Sequence, residues 1–181
     1  IDHKYMDLLD IFKTEENINH LKHSPAMYLG SCRYKLPTYQ EDPQSYESLF
    51  RTFEELEITD FYYIGGNDSM DTVAKLSTYA ATIQSPIRFI GIPKTIDNDL
   101  MGTDHTPGFG SAAKYVATSM LEIAYDSSIY KLNAVTIVEI MGRNAGWLTA
   151  ASALARTQYN EAPDLIYLPE VPFNKESFLN D

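Results

Sequence analysis

The sequence predicts an α/β fold in which a parallel sheet carries helices on both faces. Three observations lead there. From residue 59 onward, strand-length apolar runs alternate with helix-period stripes, the pattern of a parallel sheet wrapped by helices. The first two runs end in Gly65-Gly66 and Pro93, residues that stop a strand and turn the chain. The run 134–140 is rich in β-branched residues, as in a strand covered on both sides.

Each element follows from local pattern. Tyr5, Leu8, Leu9 and Phe12 are spaced for one face of a helix, and Ile18 and Leu21 for a second, shorter one. The stretch from Ser24 to Pro43 is a loop by composition. Helical spacing returns with Tyr46, Leu49, Phe50, Phe53 and Leu56. Asp60 to Ile64 reads as a strand with a tight turn behind it, and Met70, Val73, Ala74, Ser77 and Ala80 as the next helix. Ile87 to Ile92 is a second strand. Phe109, Ala112, Ala113, Val116, Met120, Ile123 and Ala124 form the clearest helical stripe. A strand at Ala134 to Ile140, a helix marked by Trp147, Ala151, Leu154 and Ala155, and a strand at Leu165 to Leu168 complete the alternation. Asn174 is placed to cap a further helix over 174–181. The expected organisation is thus a helical and loop lead-in over 1–58, alternation over 59–173, and the start of another helix. The chain opens on Ile1 and its last helical pattern reaches Asp181 with no stop signal, so a region truncated at both ends is expected.

Composition narrows the function. The 181 residues are 44% hydrophobic and 22% charged, the balance of a globular domain. No apolar run approaches bilayer length and no signal-peptide pattern opens the chain, so no membrane partner is expected. Cys32 is the only cysteine, so a reducing, cytoplasmic setting is expected. A formal charge of -11 argues against a nucleic-acid partner, because phosphate backbones reward Lys and Arg. A single anion remains within reach of a local cluster of cations and helix N-termini.

In an open α/β sheet, ligands bind beyond the carboxyl ends of the strands. Three of these ends carry residues suited to phosphate and metal. After the first strand stand Gly65, Gly66, Asn67, Asp68 and Ser69: the glycines let backbone approach a ligand, and Asp68 offers Mg2+ a hard oxygen. A tight turn with an acidic cap would read the same. After the second stand Pro93, Lys94, Thr95, Ile96, Asp97, Asn98 and Asp99. In an extended segment Asp97 and Asp99 project to the same side, where a metal and Lys94 would offset their repulsion. One carboxylate would sit near the metal and the other take a proton from an attacking hydroxyl; a solvated acidic turn is the plainer alternative. Directly after the run 134–140 come Met141, Gly142 and Arg143, whose guanidinium matches a phosphate; a surface arginine ahead of a helix would look alike. A fourth piece is the loop Leu29 to Lys35, with Arg33 beside small residues. The four histidines, His3, His20, His23 and His105, lack metal-ligand spacing, and His105 is read as ordering the loop before the long helix.

Taken together, Gly-Gly-Asn-Asp-Ser at 65–69, Pro-Lys-Thr-Ile-Asp-Asn-Asp at 93–99 and Met-Gly-Arg at 141–143 resemble the central signatures of the phosphofructokinase family, in order and at fitting separations. Leu-Gly-Ser-Cys-Arg at 29–33 resembles that family's upstream loop with a phosphate-binding arginine. The resemblance covers nearly the whole chain. It implies the Rossmann-like phosphofructokinase fold, a homo-oligomer, Mg2+, and fructose 6-phosphate as substrate. Asp97 falls at the general base for the 1-hydroxyl and Asp99 at its partner acid. Thr95 lies at the transferring phosphoryl group, and Met141, Gly142 and Arg143 at the sugar phosphate.

Two positions bear on the donor. ATP-using members generally have glycine where this chain has Asp68 and Lys94, whereas pyrophosphate-using members resemble it. Asp68 adds bulk and charge where a nucleoside would lie, and Lys94 neutralises a small, highly charged donor. Pyrophosphate is therefore expected, with residues 65–69, Arg33 and Lys94 around it and Asp68 and Asp99 at the metal. Asn67 departs from the family, standing where many members place a magnesium-binding aspartate. The competing readings are an ATP-dependent 6-phosphofructokinase and a non-catalytic regulatory homologue. The family's first glycine-rich turn and its later phosphate-gripping Arg and His segments are not among these residues, so the polypeptide alone is expected to be inactive.

Overall fold

In the computed structural model, residues 5–24, 27–31, 33–131 and 134–181 are described. Cys32 and His3 lie outside them. The first two predicted strands form as β1 (Asp60–Gly65) and β2 (Arg88–Pro93), which pair in one sheet. The Arg88 N–H donates to the Thr59 carbonyl at 3.0 Å and the Lys94 N–H to the Gly65 carbonyl at 2.7 Å. Both strands advance together between those bonds, so they run parallel. A parallel pair needs a crossover, and α3 (Asn67–Thr82) supplies it.

The chain divides into two compact units, one of residues 1–61 and 71–90, the other of residues 62–70 and 91–181. In the first, α1 (Glu15–Lys22) is capped by Thr14, and α2 (Pro43–Glu55) by Asp42, with Pro43 at the position where a missing N–H costs nothing. Tyr46, Phe50 and Phe53 of α2 pack with Leu36, Leu76, Tyr79, Ala80 and Ile87 into a buried core, with Phe61 and Phe89 against it. The hydroxyl of Tyr46 donates to the Pro37 carbonyl at 2.7 Å, so the one polar end of a buried ring is satisfied. Lys75 reaches the Leu36 carbonyl at 3.0 Å and the Asp71 carboxylate at 2.6 Å, tying α3 to the preceding loop. Arg88 grips Asp60 with both Nε and Nη2, at 2.6 and 2.8 Å.

In the second unit, α4 (Phe109–Ser128) packs against α5 (Trp147–Ala151) and the 3-10 turn Ser152–Ala155 that follows it. The predicted stripe of α4 is its less exposed face, with Ala113 fully buried. Ala113, Leu148 and Ala151 form a small cluster joined by Ile96, Phe109, Ala112 and Ile140. The last helix, α6 (Lys175–Asn180), opens where the sequence places it: Asn174 accepts from the Ser177 N–H at 2.9 Å.

Three expectations fail. Residues 134–140 and 165–168 form no strand among the described residues. A ladder needs a partner edge, and neither segment has one; Val135 is 87% and Ile137 79% exposed. The helix expected around Tyr5 to Phe12 is reduced to a 3-10 turn at Leu8–Asp10 with no buried residue, since an amphipathic stripe holds a helix only when something covers it. The sheet is thus two-stranded rather than four-stranded among the described residues, while its parallel α/β character is borne out.

Candidate active site

The residue sets after β1, after β2 and at 141–143 all fall in the second unit. The turn after β1 is drawn onto the turn after β2 by the bond from the Lys94 N–H to Gly65. The two backbones run so close that a Cβ on Gly66 would lie 3.6 Å from the Lys94 carbonyl oxygen and 3.7 Å from Thr95 Cβ. Gly66 then starts α3, its carbonyl accepting the Ser69 and Met70 N–H groups at 3.0 Å each. Asn67 reaches across: its Nδ2 donates to Asp99 Oδ2 at 2.6 Å and touches the Asp99 carbonyl at 3.5 Å. A carboxylate only accepts, so the amide's donor end faces it.

The loop from 95 to 106 is held by a small polar network. Asn98 is 6% exposed and sits at φ 56°, a left-handed conformation that asparagine tolerates better than most residues. Its Oδ1 accepts the Thr106 N–H at 2.9 Å and its Nδ2 donates to the Asp104 carbonyl at 3.0 Å. The buried Thr106 hydroxyl donates to the Thr95 carbonyl at 2.5 Å. The expected extended run through Asp97-Asn98-Asp99 is therefore not what positions the two acids. Asn98 breaks the extension because its side chain is fully engaged inward, and each carboxylate is set by its own contacts. Asp97 takes a bond from its own N–H to Thr95 Oγ1 at 3.1 Å, and its Oδ1 is buried without a hydrogen-bond partner among the described residues. Asp99 is exposed and bonded to Asn67.

Ile96 and Ile140 share the cluster around Leu148. They flank Thr95 and Asp97 on one side and Met141 on the other, so apolar packing brings the second and third residue sets into one neighbourhood. Gly142 turns the chain at φ 129°, where any Cβ would strike the Ala145 carbonyl oxygen at 2.3 Å. Arg143 and Lys94 are exposed, and neither makes an ion pair among the described residues. Asp68 is exposed on the first turn of α3 and Ser69 is half-buried there. Arg33 belongs to the first unit, where it is exposed.

A family model described as Phosphofructokinase matches residues 3–181. The chain belongs to the phosphofructokinase family. Among curated relatives, the pyrophosphate--fructose 6-phosphate 1-phosphotransferase of Xanthomonas campestris pv. campestris is 47% identical over 161 residues, 88% of this chain and 38% of its own length. The protein of that name from Halomonas elongata is 43% identical over 176 residues, 96% of this chain and 42% of its length. A crystal structure of a pyrophosphate-dependent phosphofructokinase from Marinobacter aquaeolei superposes with a TM-score of 0.79 at 46% identity, covering 93% of this chain and 42% of that one. This phosphofructokinase chain therefore spans about two fifths of the length of the relatives it matches.

Sequence reasoning missed three residues that shape this phosphofructokinase site. Thr106 carried no signal beyond its place before Pro107-Gly108. Asn98 had one, since asparagine between two aspartates is a frequent left-handed position. Glu170 had none: its carboxylate Oε1 accepts the Gly146 N–H at 2.7 Å across 24 residues. His105, expected to order the loop, packs its ring against Phe109 at 5.9 Å. Among the described residues, no helix is long and apolar enough to cross a membrane.

Proposed function

We propose that residues 1–181 are part of the catalytic region of a diphosphate–fructose-6-phosphate 1-phosphotransferase. The enzyme moves a phosphoryl group, reversibly, from pyrophosphate to the 1-hydroxyl of fructose 6-phosphate, yielding fructose 1,6-bisphosphate and phosphate. The observation that carries this reading is the buried Oδ1 of Asp97, which has no hydrogen-bond partner among the described residues. A desolvated carboxylate oxygen with no donor is costly, and a substrate hydroxyl satisfies it while presenting the proton to be removed. Nearby, Lys94 and Arg143 make no ion pair among the described residues, as suits an anionic donor and a sugar phosphate.

In this mechanism Asp97 accepts the 1-hydroxyl proton as the oxygen attacks a phosphorus of pyrophosphate in line. The bridging P–O bond breaks and phosphate leaves, its charge met by Lys94. Thr95 contacts the transferring group, and Met141, Gly142 and Arg143 contact the sugar phosphate. Gly65, Gly66, Asn67, Asp68 and Ser69 receive the diphosphate. Asp68 disfavours a nucleotide by bulk and charge, and the pyrophosphate named for the relatives supports that donor.

Mg2+ takes one or two carboxylates and completes its shell with water and phosphate oxygens. The bond from Asn67 to Asp99 brings two exposed carboxylates, Asp99 and the neighbouring Asp68, onto adjoining turns. Asp99 and Asp68 would hold the ion, with Asn67 serving Asp99 as a hydrogen-bond donor rather than as a ligand. When bound, Mg2+ neutralises charge on the phosphates. The acidic charge and the family resemblance support a cytoplasmic homo-oligomer that binds neither nucleic acid nor membrane.

The test is Asp97→Ser in the intact enzyme. The expected loss in kcat is about 100- to 10,000-fold, the range for a general base, with fructose 6-phosphate binding retained. An unchanged kcat would remove Asp97 from the chemistry. Donor choice is tested by the double change Asp68→Gly, Lys94→Gly. The ratio of kcat/KM for pyrophosphate over ATP should fall by at least about tenfold, as the loss of one charge-assisted contact implies; an unmoved ratio refutes the assignment of donor choice to these residues.

A further inference from the structure

Arg143 stands on a turn clamped at both ends. At its start, Gly142 occupies a conformation and a space open only to glycine. At its finish, Gly146 is buried under the segment 168–170. A Cβ there would lie 2.6 Å from Glu170 Oε2, 3.0 Å from Leu168 Cδ2 and 3.1 Å from Pro169 Cδ. The Gly146 carbonyl opens α5 by accepting the Ala150 N–H at 2.7 Å. Its N–H is an orphan of the helix start, and Gly146 has no side chain with which to cap anything. Glu170 fills that role from 24 residues away, with Oε1 at 2.7 Å. A tight turn, in which the Val171 N–H donates to the Leu168 carbonyl at 3.2 Å, presents the carboxylate. Glu170 makes no ion pair among the described residues, so this N–H is its partner there.

Helix α5 does not depend on Glu170 for its place. Leu148, 2% exposed, and Ala151 anchor it in the cluster with Ala113. What the carboxylate fixes is the stretch between Gly142 and Gly146, which carries Arg143. We infer that Glu170 is a positioning residue for the sugar-phosphate contact, setting where Arg143 stands without touching substrate. The inference rests on reading Met141 to Arg143 as that contact.

The experiment uses the intact enzyme and separates the two claims. Glu170→Ala should raise KM for fructose 6-phosphate about tenfold, the effect of losing one charge-assisted hydrogen bond. Both kcat and KM for pyrophosphate should stay within about twofold, a split that general destabilisation would not produce. Glu170→Gln keeps an oxygen that accepts the Gly146 N–H and should restore most of the affinity. If Glu170→Ala fails to fold, Glu170→Asp, whose shorter arm falls short of Gly146, must show the same KM effect or the inference is overturned. Arg143→Ala is the control for the site itself: if it leaves KM for fructose 6-phosphate unchanged, the contact reading fails, and the positioning role fails with it. If Arg143→Ala raises KM, the double variant decides. Glu170→Ala added to Arg143→Ala should have little further effect, whereas an undiminished second increase means Glu170 does not act through Arg143.

Discussion

The two units are built from different material. The first is held by rings: Tyr46, Phe50 and Tyr79 meet edge to face, with Phe50 and Tyr79 centroids 4.9 Å apart, and Phe53, Phe61 and Phe89 extend the set. The cluster of the second has two alanines and one leucine as its buried members, and the turns around it are fixed by hydrogen bonds that the side chains of Asn67, Asn98, Thr106 and Glu170 donate or accept. Aromatic packing is tolerant of small shifts but large in energy. Polar bonds contribute less each, yet they specify the position of a backbone to a fraction of an ångström. The unit that carries the candidate catalytic residues is the one that uses the second method, and each substitution below pulls on one of the two.

The largest effect on stability is expected from Phe50→Ala. Deleting a buried ring should cost about 3–5 kcal/mol, measured by denaturant unfolding, with kcat per folded molecule little changed. A fall in kcat without a fall in stability would mean that the ring core does more than hold the first unit together. Asn98→Ala comes next and should act the other way. Removing the side-chain bonds of Asn98 and placing alanine at a left-handed φ should cost about 2 kcal/mol and also lower kcat severalfold, because the loop that carries Asp97 and Asp99 is loosened. Asn98→Gly, which suits the φ but restores no bond, should recover stability more than rate.

The smallest effect is a pH dependence in the first unit. Hydrogen bonds from Arg88, then from Thr59, hold the Asp60 carboxyl below its ordinary range. A carboxyl depressed on folding adds stability above its unfolded pKa, and that stability is lost as pH falls through the folded value. Arg88→Leu should therefore lower stability slightly in the neutral region, leave it unmoved at acid pH where Asp60 is protonated, and so flatten the acid limb of the profile. An acid limb of unchanged slope would show that other carboxylates dominate it.

The same contrast explains what the sequence disclosed. Features decided by neighbours in the chain were legible: the glycine and proline stops of β1 and β2, the stripe of α4, the Asn174 cap. The residue sets proposed for the chemistry stood out as well, two of them behind the glycine and proline stops of β1 and β2. Pairing was not. The β-branched run at 134–140 reads as a strand because composition reports a preference for covered, extended backbone, whereas a strand exists only beside another. Asp97 and Asp99 were expected to face one way by the period of two, and the left-handed Asn98 between them cancelled that period. Glu170 and Gly146 illustrate the limit, since a glutamate before a loop and a glycine before a helix each have many ordinary reasons to be there.

The pairing of residue 59 with 88 and of 65 with 94 makes the place of Lys94 a matter of counting. In a pleated ladder, one residue more or less within β2 would turn every later side chain of that strand to the opposite face, and Lys94 with them. Substitutions along the exposed side of α3 leave that count alone. Insertions and deletions in β2 do not, so lineages of this chain should drift in letters there while keeping the strand's length.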